Sequence, residues 1–121
     1  MQSFTKAERI FLQREIDFLF DEGIAFTVYP LRVIYVEKKP FSGVPVSILV
    51  SVPKKRFKRA VKRNRVKRLI RETYRLNKNT LWEPLHRSGK GLLIAFVYIG
   101  NAVCDFSTLE TCMKKIITKL V

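Results

Sequence analysis

The period of the apolar positions changes several times along the 121 residues. Ile10, Phe11, Ile16, Leu19 and Phe20 recur at helical spacing. They follow Thr5-Lys6-Ala7-Glu8, the spacing of a capping box in which hydroxyl and carboxylate satisfy orphan amides reciprocally. Gly23 is placed to end that helix. Ile24 to Val36, rich in Val, Ile, Tyr and Phe, predicts one strand, with Pro30 marking an edge or a bulge. Pro40, Gly43 and Pro45 make Lys38 to Pro45 a connecting loop. Val46, Ile48, Val50 and Val52 then alternate with Ser47, Leu49 and Ser51, a second strand packed mainly on one face. A helix is expected from about Lys58 to Lys78, with Asn77, Asn79 and Pro84 marking its exit into a loop. The eight apolar residues Leu92 to Ile99 predict a strand buried on both faces. Ser107-Thr108-Leu109-Glu110 reads as a second capping box, opening a helix that turns Leu109, Met113, Ile116, Ile117 and Leu120 inward.

The order helix, strands, helix, strand, helix predicts an α+β fold, a small single-sheet α/β sandwich, with residues 1–121 as a single domain. A composition 47% hydrophobic and 12% aromatic excludes a disordered basic tail. The longest apolar run falls far short of the roughly 20 residues a membrane helix needs. Lys6, Glu8, Arg9 and Arg14 interrupt any signal-peptide pattern, so cytoplasm is the expected compartment and no membrane partner is expected. Cys104 and Cys112 are too few for a disulfide scaffold, lack C-x-x-C spacing, and read as small core or surface residues. One histidine, His86, makes no zinc site.

Charge changes the picture most. The chain has 24 Lys+Arg against 10 Asp+Glu, a net charge of +14. Lys54 to Lys78 alone holds 13 bases and one acid, Glu72, a local net of +12 that leaves only +2 for the rest. At 100° per residue, Val66, Leu69, Ile70, Thr73 and Leu76 fall within about 120° and face the core. Arg63, Asn64, Lys67, Arg68, Arg71 and Arg75 lie opposite. A solvated ion-paired helix would interleave acids at i+4, so this self-repelling face requires a polyanion. Guanidinium groups grip phosphate bidentately and stack on bases, and Asn64 adds an amide able to read a base edge. A plain solubilising face is the bland alternative. A DNA-reading basic zipper would need heptads after Lys78, which are absent, so DNA is not expected. A membrane-surface helix would carry an apolar face with no strands competing for it.

The acids are scattered. Glu8, Glu15, Asp17, Asp21, Glu22 and Glu37 lie in the first third, and Glu72, Glu83, Asp105 and Glu110 follow. A nuclease centre needs converging carboxylates or a histidine pair, so no catalytic residue and no protein-bound metal is assigned. That disfavours an autonomous nuclease and leaves an RNA-binding protein, with a ribosomal-type structural RNA-binding protein as one reading.

The run Lys54-Lys55-(x)4-Ala60-Val61-x-Arg63-Asn64-Arg65-x-Lys67-Arg68-x-x-Arg71, after the strand end Ser51-Val52, resembles the Arg-Asn-Arg signature of the bacterial ribonuclease P protein family. The segment Ile16-(x)2-Leu19-Phe20-(x)2-Gly23 is similar to that family's first helix. The resemblance implies a left-handed βαβ crossover, against the usual right-handed preference. It also implies a subunit that assists removal of the 5′ leader from precursor tRNA, with chemistry performed by a catalytic RNA and its Mg²⁺ ions. Its partners would be that RNA and precursor tRNA. By position, Lys54, Lys55, Arg56, Arg63, Asn64, Arg65, Lys67, Arg68 and Arg71 would be the RNA contacts. Phe20 would line a leader-binding cleft between the first helix and the sheet, with Tyr29 and Arg32 added from strand position. Ile16 stands where many members carry Phe, which leaves aliphatic contact in place of base stacking there.

Overall fold

A computed structural model describes residues 13–39 and 44–121. The expected capping box at Thr5–Glu8, with Ile10 and Phe11, lies outside the described residues, as do Pro40 and Gly43. The elements are α1 (Gln13–Glu22), β1 (Ile24–Val28), β2 (Leu31–Lys38), β3 (Val46–Ser51), α2 (Ala60–Ser88), β4 (Gly91–Tyr98) and α3 (Phe106–Leu120). The strands form one mixed sheet in the order β1-β2-β4-β3. β3 pairs parallel with β4, so α2 is the crossover between them, and the other two pairings are antiparallel.

The single strand expected over Ile24–Val36 is instead a hairpin. β-forming residues on both sides of Tyr29-Pro30 concealed the turn, which is folded by a cis peptide. The strand alternation then sorts the sheet into two faces. Leu31, Val33, Ile48, Ile94, Phe96 and Tyr98 join the main core against α2 and α3. Ile34, Leu93 and Ala95 face the other way, where Leu19 and Ile16 of α1 cover them. β4 is buried on both faces through most of its length, in agreement with its unbroken apolar run. Gly23 ends α1 because nothing larger fits. A Cβ there would lie 2.3 Å from Leu19 O and 2.7 Å from Ile34 Cγ2.

Two helix boundaries differ from expectation. α2 continues through Asn77, Asn79 and Pro84 to Ser88, where Gly89 closes it in the left-handed region at φ 69°. Burial of Leu81 and Leu85 outweighs the backbone bond lost at proline. α3 is capped by Asp105, whose carboxylate accepts from Thr108 N at 2.9 Å, two residues before the expected Ser107. That bond holds the Asp105 carboxyl below the usual carboxylate range. Glu110, expected to close the box, instead lies 3.4 Å from Asn77 Nδ2 on α2.

Candidate nucleic-acid interface

The buried stripe of α2 follows an i+4 ridge, Val66, Ile70, Tyr74 and Lys78, and passes on to Leu81 and Leu85. An i+4 ridge drifts about 40° per step, since four residues turn 400°. The drift carries the buried side away from Leu76, which is 40% exposed and not the core residue expected. Tyr74 takes its place, fully buried and accepting from Trp82 Nε1 at 2.9 Å. Lys78 is buried with its ammonium 4.6 Å from the Trp82 ring centroid.

This packing fixes which cations reach solvent. Asn64, Arg65 and Arg68 are exposed, and Lys67 and Arg71 are half-buried along the same face. Arg75, expected on the free face, is tied to Glu72, with Nε 3.2 Å from Oε2. Their hydrogen bond lowers the Glu72 carboxyl from its ordinary value and raises the Arg75 guanidinium. Arg75 is therefore partly neutralised, and Glu72, the acid four residues beyond Arg68, is taken up by that bond.

The loop entering α2 is folded by its own residues. Arg56 N donates to Pro53 O at 3.0 Å, turning Lys54 and Lys55 outward. Val52 and Phe57 are buried, and the Phe57 ring lies 5.9 Å from that of Tyr98. Arg63, expected as an RNA contact, points its Nη1 back to Phe57 O and Lys58 O, both at 2.8 Å. Arg63 thus braces the loop from the second turn of the helix. Arg56 Nη1 reaches across to Asn101 Oδ1 at 2.9 Å.

Between this loop, the first turn of α2 and residues 101–103 is a hollow of about 550 Å³. Arg56, Lys58, Arg59, Lys62, Arg65 and Asn101 line it. The Arg59 side chain makes no cap bond and the first turn of α2 carries no acid. The unpaired amides and positive dipole end of the helix therefore add to five side-chain cations, a combination suited to phosphate. Sequence position alone missed Lys58, Arg59, Lys62 and Asn101. The charge count contained the three bases, but nothing local pairs Asn101 with a residue 45 positions away.

The three expected cleft residues divide. Phe20 is 47% exposed on α1, and Phe18 is matched at 46%, so the two aromatic rings flank buried Leu19. Arg32 is exposed on β2, on the same face as Ile34 and therefore on the α1 side of the sheet. Tyr29 sits at the hairpin turn and lines a different hollow, shared with Ser107, Thr108, Thr111 and Lys115 of α3. Among the described residues, no group of three His, Cys, Asp or Glu side chains could hold a metal ion. Cys112 is buried, its Sγ donating to Val28 O at 3.1 Å, and burial pushes its thiol up to about 11. Cys104 is half-buried and free. No helix among the described residues is long and apolar enough to cross a membrane.

Comparison with known proteins gives one answer. A family profile described as Ribonuclease P matches residues 4–121. The ribonuclease P protein component of Porphyromonas gingivalis (strain ATCC 33277) is 48% identical over 116 residues, covering 96% of this chain and 85% of its own. That of Chlorobaculum tepidum is 42% identical over 91 residues, covering 69% and 59%. Among solved structures, the RNase P protein from Thermotoga maritima superposes with a TM-score of 0.72 at 23% identity, covering 94% of this chain and 98% of that one.

Proposed function

The chain belongs to the ribonuclease P protein family, the protein subunits of the endoribonuclease that matures tRNA 5′ ends, and we propose how its surfaces divide that work. The exposed face of α2 and the hollow at its N-terminus seat the catalytic RNA. Arg65 and Arg68, with Lys54, Lys55, Lys58 and Lys62, grip phosphates, while Asn64 offers the one uncharged amide among them. The α1 side of the sheet receives the 5′ leader of precursor tRNA, with Phe20 stacking on a base and Arg32 on the adjoining strand taking a phosphate. The observation that carries the reading is the convergence of five cations and an uncapped helix N-terminus on one hollow, with no acid among the lining residues.

The protein's share is binding and positioning. Among the described residues no three His, Cys, Asp or Glu side chains converge so as to hold a metal ion, and Mg²⁺ belongs in this proposal to the RNA, where it would supply the hydrolytic chemistry. The protein lowers the Mg²⁺ requirement by neutralising phosphates and holding the leader, and it works in the cytoplasm. A purely structural RNA binder would share the basic helix but would gain nothing from the exposed aromatic pair on α1. Reconstitution separates the two. Protein plus cognate catalytic RNA should cleave precursor tRNA at low Mg²⁺, where either component alone fails. Cleavage by the protein alone, or no stimulation of the RNA, would refute the assignment.

A further inference from the structure

The +2 left outside Lys54–Lys78 conceals a strong polarity. α1 carries four acids against one base, and α3 carries three lysines against one acid. That acid, Glu110, is turned toward Asn77 of α2. The exposed positions of α3 are therefore only hydroxyls and lysines: Ser107, Thr108, Thr111, Lys114, Lys115, Thr118 and Lys119.

These residues border the edge strand β1. A hollow of about 530 Å³ is lined by Thr27 and Val28 on one side and by Lys114, Lys115, Thr118 and Lys119 on the other. A second, of about 320 Å³, holds Tyr29 and Thr111 and shares Val28 and Lys115 with the first. The two are one seam running from the hairpin turn along α3. Tyr29, 68% exposed, stands at its mouth.

We infer that this seam carries the upstream part of the 5′ leader, single-stranded RNA that has already crossed the α1 face of the sheet. The inference rests on the leader reading above and extends its path. Thr27 pairs with Arg32 in the hairpin register, so one cross-strand step joins the proposed cleft to the seam. Thr111, Lys115 and Lys119 form an i+4 ridge with neighbouring Cβ atoms about 6 Å apart, a ladder for a phosphodiester backbone. Thr111 and Thr118 donate their hydroxyl protons to Ser107 O and Lys114 O, which leaves the oxygens as acceptors. Acceptors beside lysines suit a strand that carries 2′-hydroxyl donors, so the seam favours RNA over DNA. Tyr29 supplies the stacking platform that single strands use. The seam lies at the β1 edge, and α2 packs on the β3 side. The intervening strands put the seam about 14 Å across the sheet from β3, which separates it from the RNA gripped by α2.

The test compares reconstituted holoenzymes binding precursor tRNAs that differ only in leader length, one short enough to end in the cleft and one about ten nucleotides longer. The wild type should bind the long-leader precursor more tightly, and its salt slope should be steeper by about 2, the expectation for three single-strand phosphate contacts. Lys114→Gln/Lys115→Gln/Lys119→Gln should abolish that extra slope and leave short-leader binding unchanged. Tyr29→Ala should lower long-leader affinity about tenfold through lost stacking. A variant that keeps the long-leader advantage overturns the seam and spares the cleft. A wild type that gains nothing from the longer leader overturns the seam, and one indifferent to any leader overturns the cleft as well. Weakened binding of the catalytic RNA alone would assign the lysines to that RNA and refute the inference. Unchanged thermal melting of the triple variant excludes misfolding as the cause.

Discussion

Arg63 is the position at which charge and architecture make different predictions. As an exposed phosphate contact, its replacement by Ala would weaken RNA binding and leave the free protein as stable as before. Its guanidinium instead donates two bonds, each 2.8 Å long, to Phe57 O and Lys58 O. Hydrogen bonds from a charged donor contribute about 1.5–3 kcal/mol each when well shielded. These are partly exposed, so about 1 kcal/mol apiece is the appropriate scale and Arg63→Ala should cost about 1–2 kcal/mol. For a chain of this length that lowers the melting temperature by roughly 4–8 °C. Arg68→Ala is the control, because Arg68 is exposed and should change stability by less than about 0.5 kcal/mol. Differential scanning calorimetry of both variants reads the first effect, and salt titration of catalytic-RNA binding reads the second. Arg68→Ala should reduce the slope of log K against log salt by about 0.9 for one duplex phosphate. Arg63→Ala should lose affinity through a loosened loop, because Lys54, Lys55 and Lys58 are no longer held in place. An Arg63→Ala protein that melts within about 1 °C of wild type refutes the bracing role.

Gly23→Ala should destabilise by about 1–3 kcal/mol, as small-to-large changes in packed sites do, because the new Cβ meets the Leu19 carbonyl at 2.3 Å; chemical denaturation checks this, and an unchanged midpoint would sink it. Phe20→Ala should weaken binding of precursor tRNA by about 1–3 kcal/mol for one lost stacked base and leave mature tRNA binding unchanged; equal losses for both would remove Phe20 from the leader path. Burial raises the Cys112 thiol to about 11 and also raises the Tyr98 phenol. Groups held protonated by folding contribute stability in full below their unfolded pKa values, and that contribution is lost as pH rises through the folded ones. Urea midpoints should therefore be flat to about pH 8.5 and fall between about 8.5 and 11, with Cys112→Ala falling less steeply; a profile as steep in the variant would clear Cys112.

Much of the fold was legible where one periodicity acted alone. Alternation located β3, an unbroken apolar run located β4, and helical spacing located the core positions of α3. The failures share a cause, which is that distant packing decided what local signals could not. Pro84 reads as a terminator, yet Leu81 and Leu85 hold the helix in the core on either side of it. Tyr29-Pro30 is a turn with none of the Asn-Gly or Asp-Gly chemistry that advertises a hairpin. Leu76 sits at helical spacing, but the ridge that packs drifts away from it. The site divides in the same way. Clustered charge located α2 and its leading loop, since like charges crowded along one helix face are visible in any count. Which cation braces, which pairs and which is free depends on contacts that a charge count does not show: loop carbonyls five and six residues back for Arg63, Glu72 one turn away for Arg75, and distant Asn101 for Arg56.

The distribution of acids gives the proposed leader path a direction. Asp17, Asp21 and Glu22 are exposed on α1, the same helix that exposes Phe18 and Phe20. A strand lying with its phosphates against α1 would meet carboxylates, and like charges in contact are repelled. A strand lying with its bases against α1 meets two aromatic rings and turns its phosphates toward Arg32. From Arg32 the nearest continuation across the β1 edge is Thr27, beyond which Lys115 and Lys119 line the seam. Acids on one side and cations on the other thus orient a strand that the aromatic rings alone would accept either way round. The same polarity keeps the proposed cleft apart from the α2 surface, because the acidic helix covers one face of the sheet while α2 packs on the other. A uniformly basic domain of the same net charge would bind a polyanion at least as strongly, but it would have no means of telling the leader from the catalytic RNA.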